Sequence, residues 1–332
     1  MDIAALVEDP IIQKIVTHPD DDTATWRDDL QRFLSQEIRL TRRSAGESAI
    51  TAIQRLLIFL GYSTSASGAF SIDGDFGRGT NRGIAQFQYE HQLSSLCSRA
   101  TLCYPCQWNT AKKQITQIPE ATLTESTLIA LLNTAKARCK ENLIMTGELD
   151  SALFHLNALH RRRFLTCREI LECYGPSAQA ASKALENDEG ITVRAEWILA
   201  IIRQETAGII RPRFEQHYLS RLNRKHPDLP LAELRMQSMS LGLGQIMGTN
   251  YQAVGAHNAT ELFTAPVDTQ AAFVCRFLKS RDTQTKKHEP TSEDFRTVAR
   301  YYNGPQYAAH HYHEQLSRWF REFRVLMSPA TL

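Results

Sequence analysis

No stretch of this 332-residue sequence approaches the roughly 18–20 uninterrupted apolar residues that span a bilayer, so neither a transmembrane helix nor stable membrane association is expected. The opening Met1-Asp2-Ile3-Ala4-Ala5-Leu6-Val7-Glu8-Asp9-Pro10 lacks a basic segment, and its apolar run is too short for a secretion signal. The chain is therefore expected to reside in the cytoplasm, and any work outside it needs release by another agent. Charge of one sign is scarce too: the net charge is +2. Residues 1–190 carry 20 basic against 23 acidic side chains, and residues 191–332 carry 18 against 13. The excess in the second half favours approach to an anionic polymer, but it is too small and scattered for a nucleic-acid footprint.

Cysteine offers little framework. Cys97, Cys103, Cys106, Cys139, Cys167, Cys173 and Cys275 are odd in number, in a large chain without a secretion signal, which argues against a disulfide scaffold. Cys103-x-x-Cys106, with Cys97 and His91 nearby, is half of a zinc-ligand spacing. Reduced cysteines in an inserted loop are the simpler reading, and no metal or cofactor is expected. His310-His311-Tyr312-His313 has no carboxylate or cysteine at ligand spacing, and the His-Glu-x-x-His of the zinc peptidases is absent. No cysteine stands in a recognisable nucleophile context, and there is no internal repeat or low-complexity tract.

What is present is the balance of a globular protein, 42% hydrophobic and 22% charged, with length enough for two domains of mainly α class, and a monomer is expected. Residues 1–44 are polar, carry Asp20-Asp21-Asp22, and read as an N-terminal helical extension. Residues 45–135 read as a small three-helix domain. Ile53, Leu56, Leu57 and Leu60 recur at helical spacing before Gly61, a C-cap glycine. The turn segment Gly68 to Gly77 follows, with Thr80 as cap of a second helix carrying Ile84 and Phe87. After the cysteine-bearing insertion, Thr124 caps a third helix with Leu128, Leu131 and Leu132. Residues 136–187 are helix-forming, broken at Gly147 and at Gly175-Pro176, and read as a linker or as the first lobe of the next domain. Arg161-Arg162-Arg163 reads as a solvated face.

The remaining 188–328 hold the candidate chemistry. Residues 191–208 form one helix, with Thr192 as N-cap and Gly208 as stop. Its apolar stripe runs Ile191, Ala195, Ile198 and Ile202, and the next member of that series is Glu205. A carboxylate there can emerge into water, pair with an arginine, or be a partly desolvated acid at the negative end of a helix, with the raised pKa a general acid requires. Pattern alone leaves these open. Later, Gly242-Leu243-Gly244-Gln245-Ile246-Met247 forms a glycine-rich turn. Thr291 and Asp294 form a capping box for a helix with Phe295, Val298, Ala299 and Tyr302 inward, stopped by Asn303-Gly304-Pro305.

The first set of residues resembles the peptidoglycan-binding domain type 1 family. The resemblance rests on Ile53-Gln54-Arg55-Leu56, Leu60-Gly61-Tyr62, Asp73-Gly74-Asp75-Phe76-Gly77, Thr80 and Phe87-Gln88. It implies Tyr62, Asp73, Asp75, Phe76, Thr80 and Phe87 as the binding module, and departs from the family at the insertion of about 94–121. The second set resembles the N-acetylmuramidase domain of phage endolysins, within the lysozyme-like and lytic transglycosylase superfamily. The matching motifs are Glu205-Thr206-Ala207-Gly208, Phe214-Glu215-Gln216-His217-Tyr218, the 242–247 turn and Tyr302-Asn303-Gly304-Pro305-Gln306-Tyr307.

Together these resemblances imply a modular endolysin that binds bacterial peptidoglycan and lyses the cell. Glu205 would protonate the β-1,4 glycosidic oxygen between N-acetylmuramic acid and N-acetylglucosamine. Ser240, Gln245, Met247, Tyr302, Asn303 and His217 would bind the substrate. Tyr302 also fits a core role and Gln245 a backbone cap. Glu215 is the candidate second carboxylate by motif, and fits equally a structural glutamate paired with His217 or an arginine. A lytic transglycosylase giving 1,6-anhydro ends, a wall-docking protein with a dead cleft, and an effector delivered by a secretion machine are the alternatives.

Overall fold

The computed structural model describes residues 3–21, 23–34, 47–93, 97–104, 107–109, 114–116, 121–142 and 148–328, and is mainly α. Cys106 and Gly147, both singled out above, lie outside the described residues. The chain divides into two compact units, each assembled from two stretches of sequence. One is Met1–Arg162 with Pro212–Ser240, the other Arg163–Arg211 with Leu241–Leu332.

In the first unit the Glu47–Phe59 helix is central, with Ile53, Leu56 and Leu57 buried at the spacing the sequence shows. It ends at Gly61, φ +83°, where the Tyr62 amide donates to the Leu57 carbonyl at 2.8 Å, a glycine-terminated cap. Around it pack the Pro10–Val16, Thr23–Leu34, Glu125–Asn142 and Glu148–His160 helices. Ile12, Ile15, Val16, Trp26 and Leu30 are buried there, so the N-terminal stretch is part of this core. Buried Arg55 ties it in by donating to the carbonyls of Ile15 (2.7 Å) and Thr17 (3.0 Å) and to Asn157 Oδ1 (2.7 Å). Thr124 caps the Glu125–Asn142 helix through the Thr127 amide, as expected. The inserted region contains an antiparallel pair, Gln107–Asn109 with Gln114–Thr116.

The Pro212–Ser240 stretch adds Arg213–Phe214, paired antiparallel with Met239 and Ser240. The Phe214 amide donates to Gly68 O at 2.9 Å. Gly68 has φ +87°, and a Cβ there would stand 1.9 Å from the Phe214 carbonyl oxygen, so only glycine fits.

In the second unit the Ala195–Thr206 helix is enclosed by the Cys167–Glu189, Val267–Leu278 and Tyr312–Met327 helices. Trp197 is fully buried with Phe295 and Phe320 at ring distances of 4.8 and 4.9 Å. Thr291 and Asp294 form the expected capping box of the Ser292–Asn303 helix. Two local expectations change. The Cys167–Glu189 helix runs straight through Gly175-Pro176. An interior proline costs about 3 kcal/mol. Here its ring faces solvent, and the buried stripe Ile170, Tyr174, Ala178, Ala181 and Leu185 continues on both sides to offset that loss. The helix expected over 191–208 starts at Ala195 with Arg194, in extended backbone, at its N-cap, and the Thr192 hydroxyl donates to Glu186 instead.

Candidate active site and binding module

The second unit brings Glu205, the 242–247 turn and Tyr302 together. Glu205 occupies the last turn of the Ala195–Thr206 helix, whose residues Ala195 to Ile202 are all buried. The helix stops because Ala207 and Gly208 take left-handed backbone, φ +48° and +78°. Thr206, fully buried, shares its hydroxyl hydrogen between Ile202 O (2.9 Å) and Leu243 O (3.0 Å), which fastens the glycine-rich turn to the helix end. From the other side Gln270 Oε1 accepts the Leu243 amide at 2.9 Å, while its Nε2 donates to Ala265 O at 2.8 Å.

The two glycines of the turn are needed for different reasons. Gly242 has φ +69°. Gly244 is needed for space: a Cβ would lie 2.5 Å from Val274 Cγ2 and 2.7 Å from the Tyr302 hydroxyl. That hydroxyl donates to Gly244 O at 2.7 Å. Tyr302 is half-buried with its ring edge-on to Phe277, so it is a packed residue whose polar end reaches the turn.

The Tyr312 hydroxyl donates a hydrogen bond to Glu205 Oε1. Burial pushes the Glu205 carboxyl up to about 7, against the lowering effects of the Tyr312 hydrogen bond and the Arg211 charge. No carboxylate among the described residues adds to that rise. Burial, then the Glu205 charge, pushes the Tyr302 and Tyr312 hydroxyls well above the ordinary tyrosine range, so both remain donors. The arrangement can present a proton on a half-buried carboxyl near neutral pH.

The other motif residues are more dispersed. Gln245 has φ +49°, and its Nε2 donates to Gly242 O at 3.0 Å, closing its own turn. Met247 is half-buried, and Asn303 is exposed at its helix end. Glu215, His217 and Ser240 belong to the first unit. Glu215 forms an ion pair with Arg213, Oε1 to Nε 2.9 Å, and lies 3.5 Å from His217 Nδ1. His217 is largely exposed, and Ser240 faces Arg213 in the strand pair. His311 begins the last helix with φ +52°, 3.3 Å from Glu314, and the His313 ring stands edge-on to Tyr307.

In the first unit, Gln54 organises the Asp-Gly loop. Its Oε1 accepts the amides of Asp73 (2.9 Å) and Gly74 (3.0 Å), and its Nε2 donates to Asp73 Oδ1 at 2.7 Å and to Thr80 Oγ1 at 3.0 Å. Thr80 is therefore a buried tie, whose hydroxyl also contacts Asp75 O at 3.1 Å, and the Arg78–Glu90 helix is entered from Gly77. Tyr62, Phe76 and Phe87 are buried. Of the module's candidates only Asp73 and Asp75 are exposed. The Tyr62 hydroxyl donates to Glu90 Oε2 at 2.6 Å. Arg235 forks onto both Glu90 oxygens (2.8 and 3.0 Å), donates to Gly61 O, and lies 3.9 Å over the Tyr62 ring.

Sequence reasoning missed Tyr312, Arg211, Thr206, Gln270, Glu90 and Arg235. Tyr312 had a readable signal, because it opens the buried series Tyr312, Leu316, Phe320, Phe323.

Two family models match the chain in order. Residues 46–95 match "Putative peptidoglycan binding domain", and residues 228–324 match N-acetylmuramidase. The second match takes in the glycine-rich turn, Tyr302 and Tyr312, and begins after Glu205. No match to the chain is found among curated proteins. Among solved structures, the crystal structure of Burkholderia AP3 phage endolysin aligns over 86% of this chain and 98% of that chain, at 18% identity with a TM-score of 0.35.

Proposed function

We infer, from the premise that this chain joins a peptidoglycan-binding domain to an N-acetylmuramidase domain, that it is a peptidoglycan-degrading endolysin which cleaves the glycan with Glu205 as general acid. The observation that carries this reading is a carboxyl at a helix end, held by Tyr312 and raised by burial to about 7. Protonated Glu205 delivers its proton to the β-1,4 oxygen between N-acetylmuramic acid and N-acetylglucosamine as the bond to the muramic carbon breaks. The resulting carboxylate keeps the Tyr312 hydrogen bond and then takes the proton of the incoming hydroxyl. In a hydrolase that hydroxyl is water, and the product carries a reducing end.

Glu215 is the proposed second carboxylate by motif, and a second reading, a lytic transglycosylase, applies if no carboxylate faces Glu205. Without a partner acid, the substrate's own N-acetyl group assists. The 6-hydroxyl of the muramic sugar then closes the ring, and the product is a 1,6-anhydro sugar. We propose the hydrolase first, on the N-acetylmuramidase match. No helix among the described residues is long and apolar enough to cross a membrane. Release from the cytoplasm at lysis, followed by action on the wall as a monomer, completes the proposal.

Mass spectrometry of soluble muropeptides from purified sacculi tests it, with wild type and Glu205→Gln side by side. The expected outcome is reducing ends from wild type and loss of product from the variant. Anhydro ends would move the assignment to the transglycosylase. Undiminished product from Glu205→Gln would remove the acid role.

A further inference from the structure

Glu205 has a neighbourhood that its proton-donor role does not use. Leu165 N donates to Ala207 O at 2.9 Å, which fixes the start of the second unit's chain two residues beyond Glu205. The fit is tight. A Cβ on Gly208 would lie 2.8 Å from Leu165 Cδ1 and 2.9 Å from Ile170 Cγ1, and Tyr174 donates to Gly208 O at 2.6 Å. Phe164, next in the chain to Leu165, is therefore held at this helix end, yet its side chain is 48% exposed. Only Phe164 and Val325 are exposed large apolar side chains among the described residues of this unit. Arg211 lays its guanidinium over the Phe164 ring, 4.7 Å from the centroid.

Arg211 is half-buried and makes no ion pair among the described residues. The charge it feels most favourably is that of Glu205, which is neutral whenever the acid is loaded. A half-buried cation with no ion pair among the described residues, stacked on an exposed ring, can take a carboxylate from a ligand. Stacking fixes the guanidinium plane, and its outer edge keeps the forked donor geometry that matches a carboxylate. The exposed part of the ring offers an apolar face of the kind sugar C–H groups cover.

We propose that Phe164 and Arg211 form a subsite beside Glu205 that receives a carboxylate carried on the side arm of the muramic sugar. The inference rests on the glycan-cleaving reading above. In peptidoglycan every second sugar bears that arm. The carboxylate is the lactyl group itself where the arm is bare, and a stem-peptide carboxylate where it is substituted. The subsite would set which sugar lies on which side of the scissile bond, because the alternating N-acetylglucosamine has no such arm.

Three substrates separate the possibilities: peptide-bearing glycan strands, strands stripped of peptide, and stripped strands whose lactyl carboxylates are converted to methylamides. Wild type, Arg211→Met and Phe164→Ala are compared by kcat/KM on each. Measured well below the alkaline limb, we expect Arg211→Met to lose about tenfold to hundredfold on strands offering a carboxylate and markedly less on the methylamide strands. Phe164→Ala should lose less, in the same order. Loss on peptide-bearing strands alone assigns the stem carboxylate, and loss on stripped strands the lactyl one. Removing the Arg211 charge should also move the alkaline limb of activity upward, which a packing defect would not do. Equal loss on all three substrates, or loss on none, overturns the subsite. If wild type itself releases no sugar product from any strand, the glycan-cleaving reading fails instead, and the subsite with it.

Discussion

Tyr312 donates its hydroxyl hydrogen to Oε1 of Glu205, joining two residues 107 apart in sequence at the end of the most buried helix of the second unit. This bond acts against burial on the pKa of the proposed acid. It stabilises the ionised carboxylate and so restrains a pKa that burial alone would push higher. Tyr312→Phe is expected to raise the Glu205 pKa and so move the alkaline limb of the pH–activity profile upward. It should also lower kcat by roughly tenfold as the carboxyl loses its fixed orientation. A profile whose limb stays in place would show that the hydrogen bond does not tune the acid.

The same raised pKa makes Glu205 a cost to folding. Its folded value is about 7 and its ordinary value 4.5. Below the lower value the carboxyl is protonated in both states and costs nothing. Between the two, the unfolded chain releases its proton first, so stability falls as pH rises. Above about 7 the full penalty applies, on the order of 1–3 kcal/mol. Glu205→Gln should therefore be more stable than wild type at pH 8 and close to it at pH 4. Thermal unfolding across that range checks this. A pH-independent difference would mean that Glu205 is not held neutral.

Gly244 and Tyr302 share one space. Because an added Cβ would meet the Tyr302 hydroxyl and Val274, Gly244→Ala should lower stability by about 1–3 kcal/mol and detach Tyr302 from the turn. Removing the hydroxyl with Tyr302→Phe opens part of that space. The double variant should then lose less than the sum of the two singles in urea unfolding. Strict additivity would mean that the two residues do not compete.

These relationships show what the sequence could and could not convey. Helical spacing was enough to place Glu205 on the inner face of its helix, and Thr291 and Asp294 to start another, because both are effects within a few residues. The mainly α class and the two modules followed from such local patterns and from ordered motifs. Thr192 and Thr80 illustrate the limit. Each is a good cap by type, but the Thr192 hydroxyl donates to Glu186 and the Thr80 hydroxyl joins Gln54 and Asp75 O, and each helix starts elsewhere. Gln54 appears in a motif as a plain polar residue, and only the fold gives it hydrogen bonds to Asp73, Gly74, Asp75 and Thr80. Arg211 and Phe164 lie in stretches with no pattern at all, since a stack between two loop ends leaves no periodicity.

Arg235 and Glu90 form the most consequential pair in the first unit. Both side chains are almost completely buried, at 6% and 7% exposure, and they lie 145 residues apart in sequence. The guanidinium also covers the Tyr62 ring and reaches Gly61 O, so the cap of the Glu47–Phe59 helix depends on it. Removing one partner leaves a buried charge uncompensated, which typically costs about 3–5 kcal/mol. Arg235→Met should therefore unfold the first unit at much lower urea and weaken sacculus binding with it, while the Glu205 centre of the other unit keeps its pH profile on soluble strands. Removing both charges leaves no orphan: Arg235→Met with Glu90→Gln should recover more than half of the lost stability. If the double variant is as unstable as Arg235→Met alone, packing of the arginine stem over Tyr62, rather than the ion pair, holds this unit together.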